Sequence, residues 1–194
     1  YKRQRLHGVF ALWGRAFDLF PIGVVMAPEA GVPCLVQCLQ RPVPCLQPAA
    51  ELRHDNGLLG AVCDPDAVAR KVRLLKETGY NAIRSAHNPC SKALLAECDR
   101  QGMLVMDEYI DHWYIHKTEY DYVPYFAEWW RQDLTDMVEK DYNHPCVVLY
   151  STGNEVSETA QPRGIALTKE MTDFLHGLDD SRPVTCGVNL SLIH

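Results

Sequence analysis

The sequence predicts an α/β fold: a partial (β/α)8 barrel of about the first five βα units, preceded by an irregular N-terminal segment. Three observations carry this. Strand-like runs near residues 51–54, 80–85, 103–107, 146–151 and 183–188 alternate with helix-like runs, and repeated βα units call for parallel strands because each crossover helix returns the chain to the same end. Polar pairs fall at the C-terminal ends of successive strands: His54 and Asp55, His87 and Asn88, Asp107 and Glu108, Asn154 and Glu155. In a barrel those ends converge on one mouth. A doubly wound sheet would instead place its chemistry at a switch point, usually with a glycine-rich phosphate loop, and no GxGxxG or GxxxxGK motif is present.

Each element has its own signals. Residues 1–50 show no sustained period; four prolines and three cysteines fall between Gly31 and Ala50, and a VPCL unit occurs twice. This stretch reads as an irregular or non-native segment without an assigned function, and residues 51–194 as the partial barrel domain. "ELRHDNGLLGAV" is a short strand entering a Gly-containing loop. Asp64 and Pro65 then supply an N-cap and a first-turn proline for a helix with Val68, Val72 and Leu75 on one face, ended by Gly79. "YNAIRSAHNP" is a brief strand and a polar loop stopped by Pro89. Ser91 caps a second helix that closes at Gly102, and "MLVMDEYI" is a strand ending in acids. After an aromatic loop, "AEWWRQDLTDMVEKDYNHP" is helical with Trp130, Leu134, Met137 and Val138 on one stripe. "CVVLYSTGNE" is a buried strand that delivers an amide and a carboxylate at its end. A helix from about Gly164 to Leu178 and the strand "RPVTCGVN" complete the order.

Bulk properties narrow the function. The chain has 194 residues, 47% hydrophobic and 23% charged, with net charge −6 and a pI near 5.7. That is globular composition without a basic stripe, so neither nucleic acid nor a membrane is expected as a partner. Eight cysteines form no CxxC pair and no Cys/His spacing typical of zinc; they are read as reduced and structural, which fits a cytoplasmic location. No apolar run is long enough to span a bilayer, and the N-terminus lacks a signal-peptide cleavage pattern. Since the first residue is Tyr1 rather than Met, the chain reads as a piece of something longer.

Glu155 is the first candidate for chemistry. A carboxylate at a barrel mouth suits general acid/base work on a sugar, and burial there is expected to raise its pKa. Asn154 is placed to hydrogen-bond a sugar hydroxyl beside the reacting carbon. His87 reaches the same rim, and Asp55 and Asn56 are equally good turn formers. Arg53 and Arg84 are suited to pairing with the rim acids; Asp107 and Glu108 read as ligands, electrostatic partners or a structural pair. Among the aromatics after the third strand, Trp113 is the best candidate for stacking on a sugar ring, while Trp129 and Trp130 read as packing residues.

The stretches "RHDNGLLG", "NAIRSAHNP", "LLAECDRQGMLVMDE" and "DYNHPCVVLYSTGNE" resemble, in order and spacing, glycoside hydrolase family 2, the group of β-galactosidases, β-glucuronidases and β-mannosidases. The similarity covers roughly residues 51–189 and corresponds to the early part of that family's catalytic TIM barrel. It implies a retaining, exo-acting β-glycosidase, β-galactosidase-like, that uses two glutamates. The family's acid/base falls on Glu155 and the preceding amide on Asn154. The substrate-contacting histidine falls on His87, separated here from Ser85 by Ala86, and the R-H-[DE] histidine on His54 with Asp55 beside it. No cofactor is implied as a requirement. Some members hold a magnesium ion soon after the DE motif; here Asp111 and His112 are the right kinds of residue in a different arrangement.

Two further departures matter. The first 50 residues do not resemble the domains that normally precede this barrel. The family's nucleophilic glutamate lies on the seventh strand, and this chain stops after the fifth, so it is expected to carry the acid/base half of a site and to lack the nucleophile. The expected partner is a β-linked glycoside, with a homo-oligomer or a complementing barrel half as a further partner. The alternative is an inactive truncated piece that binds carbohydrate or assembles with another half. A third reading pairs Glu155 with Asp107 or Glu108 as an inverting set.

Overall fold

The computed structural model describes residues 25–26, 33–34, 50–52 and 57–188. In chain order the elements are β1 (Val25–Met26), β2 (Pro33–Cys34), β3 (Ala50–Leu52), α1 (Pro65–Glu77), β4 (Ala82–Ser85), α2 (Lys92–Gln101), β5 (Leu104–Glu108), α3 (Val123–Asp141), β6 (Val147–Ser151), α4 (Pro162–Leu178) and β7 (Val184–Thr185), with short 3-10 turns at Gly57–Leu59 and Ser157–Ala160. β1 and β2 form a two-stranded antiparallel ladder. The others form one five-stranded sheet in the order β3-β4-β5-β6-β7, every pair parallel. Strand order equal to chain order, with a helix between most neighbours, is how a barrel winds.

The helix boundaries follow from local chemistry. The Asp64 carboxylate accepts from the backbone N–H of Asp66 (3.0 Å) and Ala67 (3.1 Å) at the start of α1, where helix donors otherwise go unmet. Ser91 does the same for α2 through Leu94 N–H. Gly102 ends α2 in the left-handed conformation, φ 69°, where a Cβ would be penalised. α3 begins four residues earlier than the expected start at Ala127. Pro124 is tolerated in a first turn, and the Asp121 carboxylate takes up the Val123 N–H (3.2 Å); an acid two residues upstream caps this helix.

Alternation along the strands separates two faces. Ile83, Val105, Val147, Tyr150 and Val184 are buried against the helices, where Val72, Leu95, Phe126, Trp130, Leu134, Met137, Met171 and Leu175 complete the core. On the inward face Arg84, Leu104, Met106 and Leu149 are half-buried. β6 carries an irregularity opposite Val105–Met106. The last strand is shorter than the expected 183–188. After Thr185 its pairing passes from β6 to the following turn, through Gly187 N–H to Gly153 O (2.8 Å), Val156 N–H to Gly187 O (2.9 Å) and a bridge between Val156 and Val188. Cys63, Cys90, Cys98 and Cys146 are free thiols. No helix among the described residues is long and apolar enough to cross a membrane.

Candidate active site

The C-terminal ends of β4, β5 and β6 meet around Glu108. Its carboxylate is fully buried, at 0% exposure, and would be costly to desolvate alone. Three segments supply its partners. Arg84 donates through Nε to Oε2 (3.1 Å) and through Nη2 to Oε2 (2.8 Å) and Oε1 (3.1 Å). Nδ1 of His87 lies 2.7 Å from Oε1, and Ser151 Oγ donates to Oε2 (2.8 Å). His87 follows a cis peptide at Ala86–His87. The His87 ring thus meets Glu108 through Nδ1, in the loop that follows β4. Asn88, next in the chain, is exposed.

The same guanidinium reaches the GNE stretch. Arg84 Nη2 donates to Asn154 Oδ1 (2.6 Å), while Asn154 Nδ2 donates to Asp111 Oδ1 (2.8 Å). Both ends of the amide are therefore fixed, and one N–H of Nδ2 remains for another acceptor. Lys117 Nζ donates to Asp111 O, Asp111 Oδ1 and Asn154 O, each at 2.8 Å. Burial pushes the Asp111 carboxyl up, but the bonds from Asn154 and Lys117 and the ammonium charge outweigh it, leaving its pKa below the ordinary value.

Glu155 sits at the centre of this frame on an unusual backbone. Its φ is 43°, the one non-glycine residue with positive φ among those described, a conformation that costs L-residues about 1–2 kcal/mol. Its neighbours are pinned: Asn154 N–H donates to Ile110 O (3.1 Å) and Val156 N–H to Gly187 O. The expectation of a buried Glu155 is corrected here, because its side chain is exposed. The strand ends at Ser151, and the left-handed turn projects Glu155 out of the rim instead of leaving it among the strand side chains.

Trp113 occupies a different position from that expected of a stacking platform. It has 0% exposure and its indole N–H donates to Thr152 O (2.9 Å). A Cβ on Gly153 would lie 3.0 Å from the indole nitrogen and 2.8 Å from Val156 Cγ1, so close packing against Trp113 requires glycine at that position. Asp107 lies on the opposite face of β5 from Glu108, its Oδ1 accepting from Cys90 N–H (2.9 Å) and Ser85 Oγ (3.3 Å). It therefore faces the helices and not the mouth. His54 and Asp55 lie outside the described residues.

Sequence reasoning missed Glu158. This buried carboxylate, 1% exposed, accepts through one oxygen from the backbone N–H of Trp113 (3.1 Å), Tyr114 (2.9 Å) and Ile115 (2.9 Å). It clamps the aromatic loop to the segment carrying Glu155. Its only sequence signal is an acid three residues beyond Glu155.

Asp111 and His112, the residues that would hold a magnesium ion, are both committed elsewhere. Asp111 Oδ1 is engaged by the Lys117 ammonium and the Asn154 amide, so a tethered cation already stands beside it. His112 is buried with its Nε2 3.7 Å from Asp121. The donor set does not fit a divalent cation, and no chemical step is derived through one.

The family model for the TIM barrel domain of glycosyl hydrolases family 2 matches residues 52–192. A β-galactosidase of Bacteroides ovatus is 40% identical, the match covering 71% of this chain and 20% of that protein. A β-galactosidase of Vibrio cholerae is 35% identical over 68% of this chain and 13% of its own. Among solved structures, a glycosyl hydrolase family 2 member from Bacteroides cellulosilyticus superposes with a TM-score of 0.71 at 44% identity, covering 75% of this chain and 20% of that one. A β-glycosidase from Bacteroides vulgatus gives 0.67 at 40%, covering 72% and 18%. The chain thus spans about a fifth or less of the length of these relatives. With its parallel strands, its rim network and these matches, the chain belongs to glycosyl hydrolase family 2, as part of the family's TIM-barrel domain.

Proposed function

We propose that this chain carries the acid/base half of a retaining β-glycosidase site, β-galactosidase-like, with Glu155 as the acid/base. The observation that carries the reading is the exposed Glu155 carboxyl, held on a left-handed backbone between pinned neighbours beside a rigid Arg84–Glu108–Asn154 network. Glu155 protonates the leaving oxygen and later takes a proton from water. Asn154 uses its remaining N–H on a sugar hydroxyl, and His87, Asn88, His54 and Asp55 contact substrate. Glu108 is an unsuitable second carboxyl, because Arg84, His87 and Ser151 already engage it; it orients the groups around it. Asp107 faces away from the mouth, and Trp113 acts by packing under the Gly153 turn.

A retaining mechanism needs a second carboxyl about 5–5.5 Å from the first. In this reading it comes from a complementing barrel half, and the barrel domain begins at β3, whose Ala50 pairs with Ile83 in the sheet. Hydrolysis of p-nitrophenyl β-D-galactoside, β-D-glucuronide and β-D-mannoside by the chain alone, beside Glu155→Gln, tests this. No turnover is expected from either protein. Turnover that disappears in the variant would place both carboxyls in this chain or its dimer and refute the half-site. Turnover that survives the variant would refute the role of Glu155.

A further inference from the structure

At the opposite end of β6 from Glu155, three side chains of different chemistry converge. Asp99, in the last turn of α2, and His144 and Cys146, in the "HPC" run that enters β6, bring one carboxylate oxygen, one ring nitrogen and one sulfur within 4.8 Å of one another. We propose that Asp99, His144 and Cys146 form a site for a borderline-soft divalent cation, zinc above all, that ties α2 to the N-terminal end of β6. The inference goes beyond the glycosidase reading and does not depend on it. β6 has five residues, so the two sites lie at ends of the strand roughly 16 Å apart.

The donor set suits zinc better than magnesium or calcium. Thiolate and imidazole favour zinc, whereas hard cations take oxygen ligands. Bonds of about 2.0–2.3 Å in a tetrahedron put ligand atoms roughly 3.3–3.7 Å apart, inside the span that these atoms already occupy. Nδ1 of His144 and Oδ2 of Asp99 lie 2.6 Å apart across a shared proton; the pair opens slightly as the cation replaces that proton. Two negative ligands and a neutral imidazole balance a divalent charge, and a water completes four-coordination from the side where Asp99 and His144 are about one-quarter exposed.

The surrounding structure holds the donors in place. Cys146 N–H donates to Asp99 Oδ1 (2.9 Å), leaving Oδ2 toward His144. His144 N–H donates to Asp141 O (3.0 Å), and its carbonyl accepts from Val147 N–H (3.1 Å) and Arg182 Nη2 (3.0 Å). The Arg182 charge is countered by Asp179, 2.6 Å away. Without a cation the Cys146 thiol donates to Leu95 O (3.5 Å); burial, followed by the hydrogen bond and then the charge of Asp99, pushes its pKa well up. Cation binding displaces that thiol proton, and the imidazole proton moves to Nε2.

Cobalt(II), a spectroscopic substitute for zinc, tests the site in the full chain with Cys34, Cys38 and Cys45 changed to serine to silence thiols elsewhere. One cobalt per chain is expected, with a thiolate-to-cobalt charge-transfer band and intense tetrahedral d–d bands, displaced by zinc. Cys146→Ser should abolish the charge-transfer band, and Asp99→Asn should weaken binding at least about tenfold. Cys98→Ser, altering the neighbouring buried thiol, should leave the band in place. Cation-free circular dichroism and melting of each variant separate a lost ligand from a lost fold. A band that survives Cys146→Ser, a band that follows Cys98, or no cobalt uptake by the folded parent would overturn the proposal.

Discussion

Asp141→Asn should remove the pH dependence of stability that one buried carboxyl imposes. Asp141, the last residue of α3, is fully buried. It faces Asp107 on one side and Lys140 on the other, and Lys140 Nζ also donates to Cys90 O (2.7 Å). Oδ2 of Asp107 has no hydrogen-bond donor among the described residues except a protonated Asp141. Burial first, then the bond and charge of Asp107, raise the Asp141 pKa to about 8, against the smaller lowering effect of Lys140. In the unfolded chain the group titrates near 3.9. Between those values the folded state holds a proton that the unfolded state does not, so this group's stabilisation is fully present below pH ~4 and is lost as pH rises through about 8.

At about 1.4 kcal/mol per pKa unit, the wild type should lose roughly 2 kcal/mol from this group between pH 6 and pH 8. In Asp141→Asn the amide keeps the shape, accepts from Lys140 and donates Nδ2–H to Asp107 at every pH. Other titrations are common to both proteins and cancel in the difference. Urea unfolding from pH 5 to 9 should therefore show the variant gaining on wild type by about 2 kcal/mol between pH 6 and pH 8. Parallel stability curves, or a variant that loses ground as pH rises, would refute the shared-proton account.

Three further substitutions probe the rim. Glu158→Ala removes the acceptor of three backbone N–H groups and should cost about 2–4 kcal/mol. Amide exchange at Trp113, Tyr114 and Ile115 should accelerate more than at the core of α3, and uniform acceleration would refute the clamp. Gly164→Ala would set a Cβ 1.9 Å from the Glu158 carbonyl oxygen, forcing α4 off the preceding 3-10 turn at about 3 kcal/mol; a melting temperature equal to wild type would contradict that packing. Glu155→Asn should raise stability by about 0.5–1 kcal/mol, since asparagine tolerates positive φ better; a loss in denaturant midpoint would mean that the turn carries no strain.

What the sequence disclosed depended on whether its signal was local. The caps at Asp64, Ser91 and Gly102 involve partners within a few residues, and the structure places them as read. Likewise the strand ends at Ser85, Glu108 and Ser151 are marked by an apolar run giving way to polar residues. The pairing of Arg84 with a rim acid was also within reach, because charge and register limit its partners. Glu158 and the Asp107–Asp141 pair were not legible: their partners lie 43 to 45 and 34 positions away, and an isolated acid looks like a surface acid in one dimension. The burial of Trp113 is hidden from the sequence for the same reason. Aromatic composition suggested a sugar platform, whereas the space opened by Gly153 draws the indole inward.

Glu155 links these two kinds of information. Glu108, among the inward side chains of a strand, is engaged from three segments, and Glu155 is not. After Ser151 the chain leaves the β5 ladder, and Glu155 takes a left-handed conformation with its side chain exposed. Such a turn would relax unless its flanks were held. Ile110 O, Lys117 and Gly187 hold them through bonds to the backbone of Asn154 and Val156, leaving the carboxyl itself unengaged among the described residues. Fixed flanks and a free side chain suit the proton-transfer role proposed for Glu155, and they are why substitutions at Lys117 or Gly187 should disturb Glu155 without touching it.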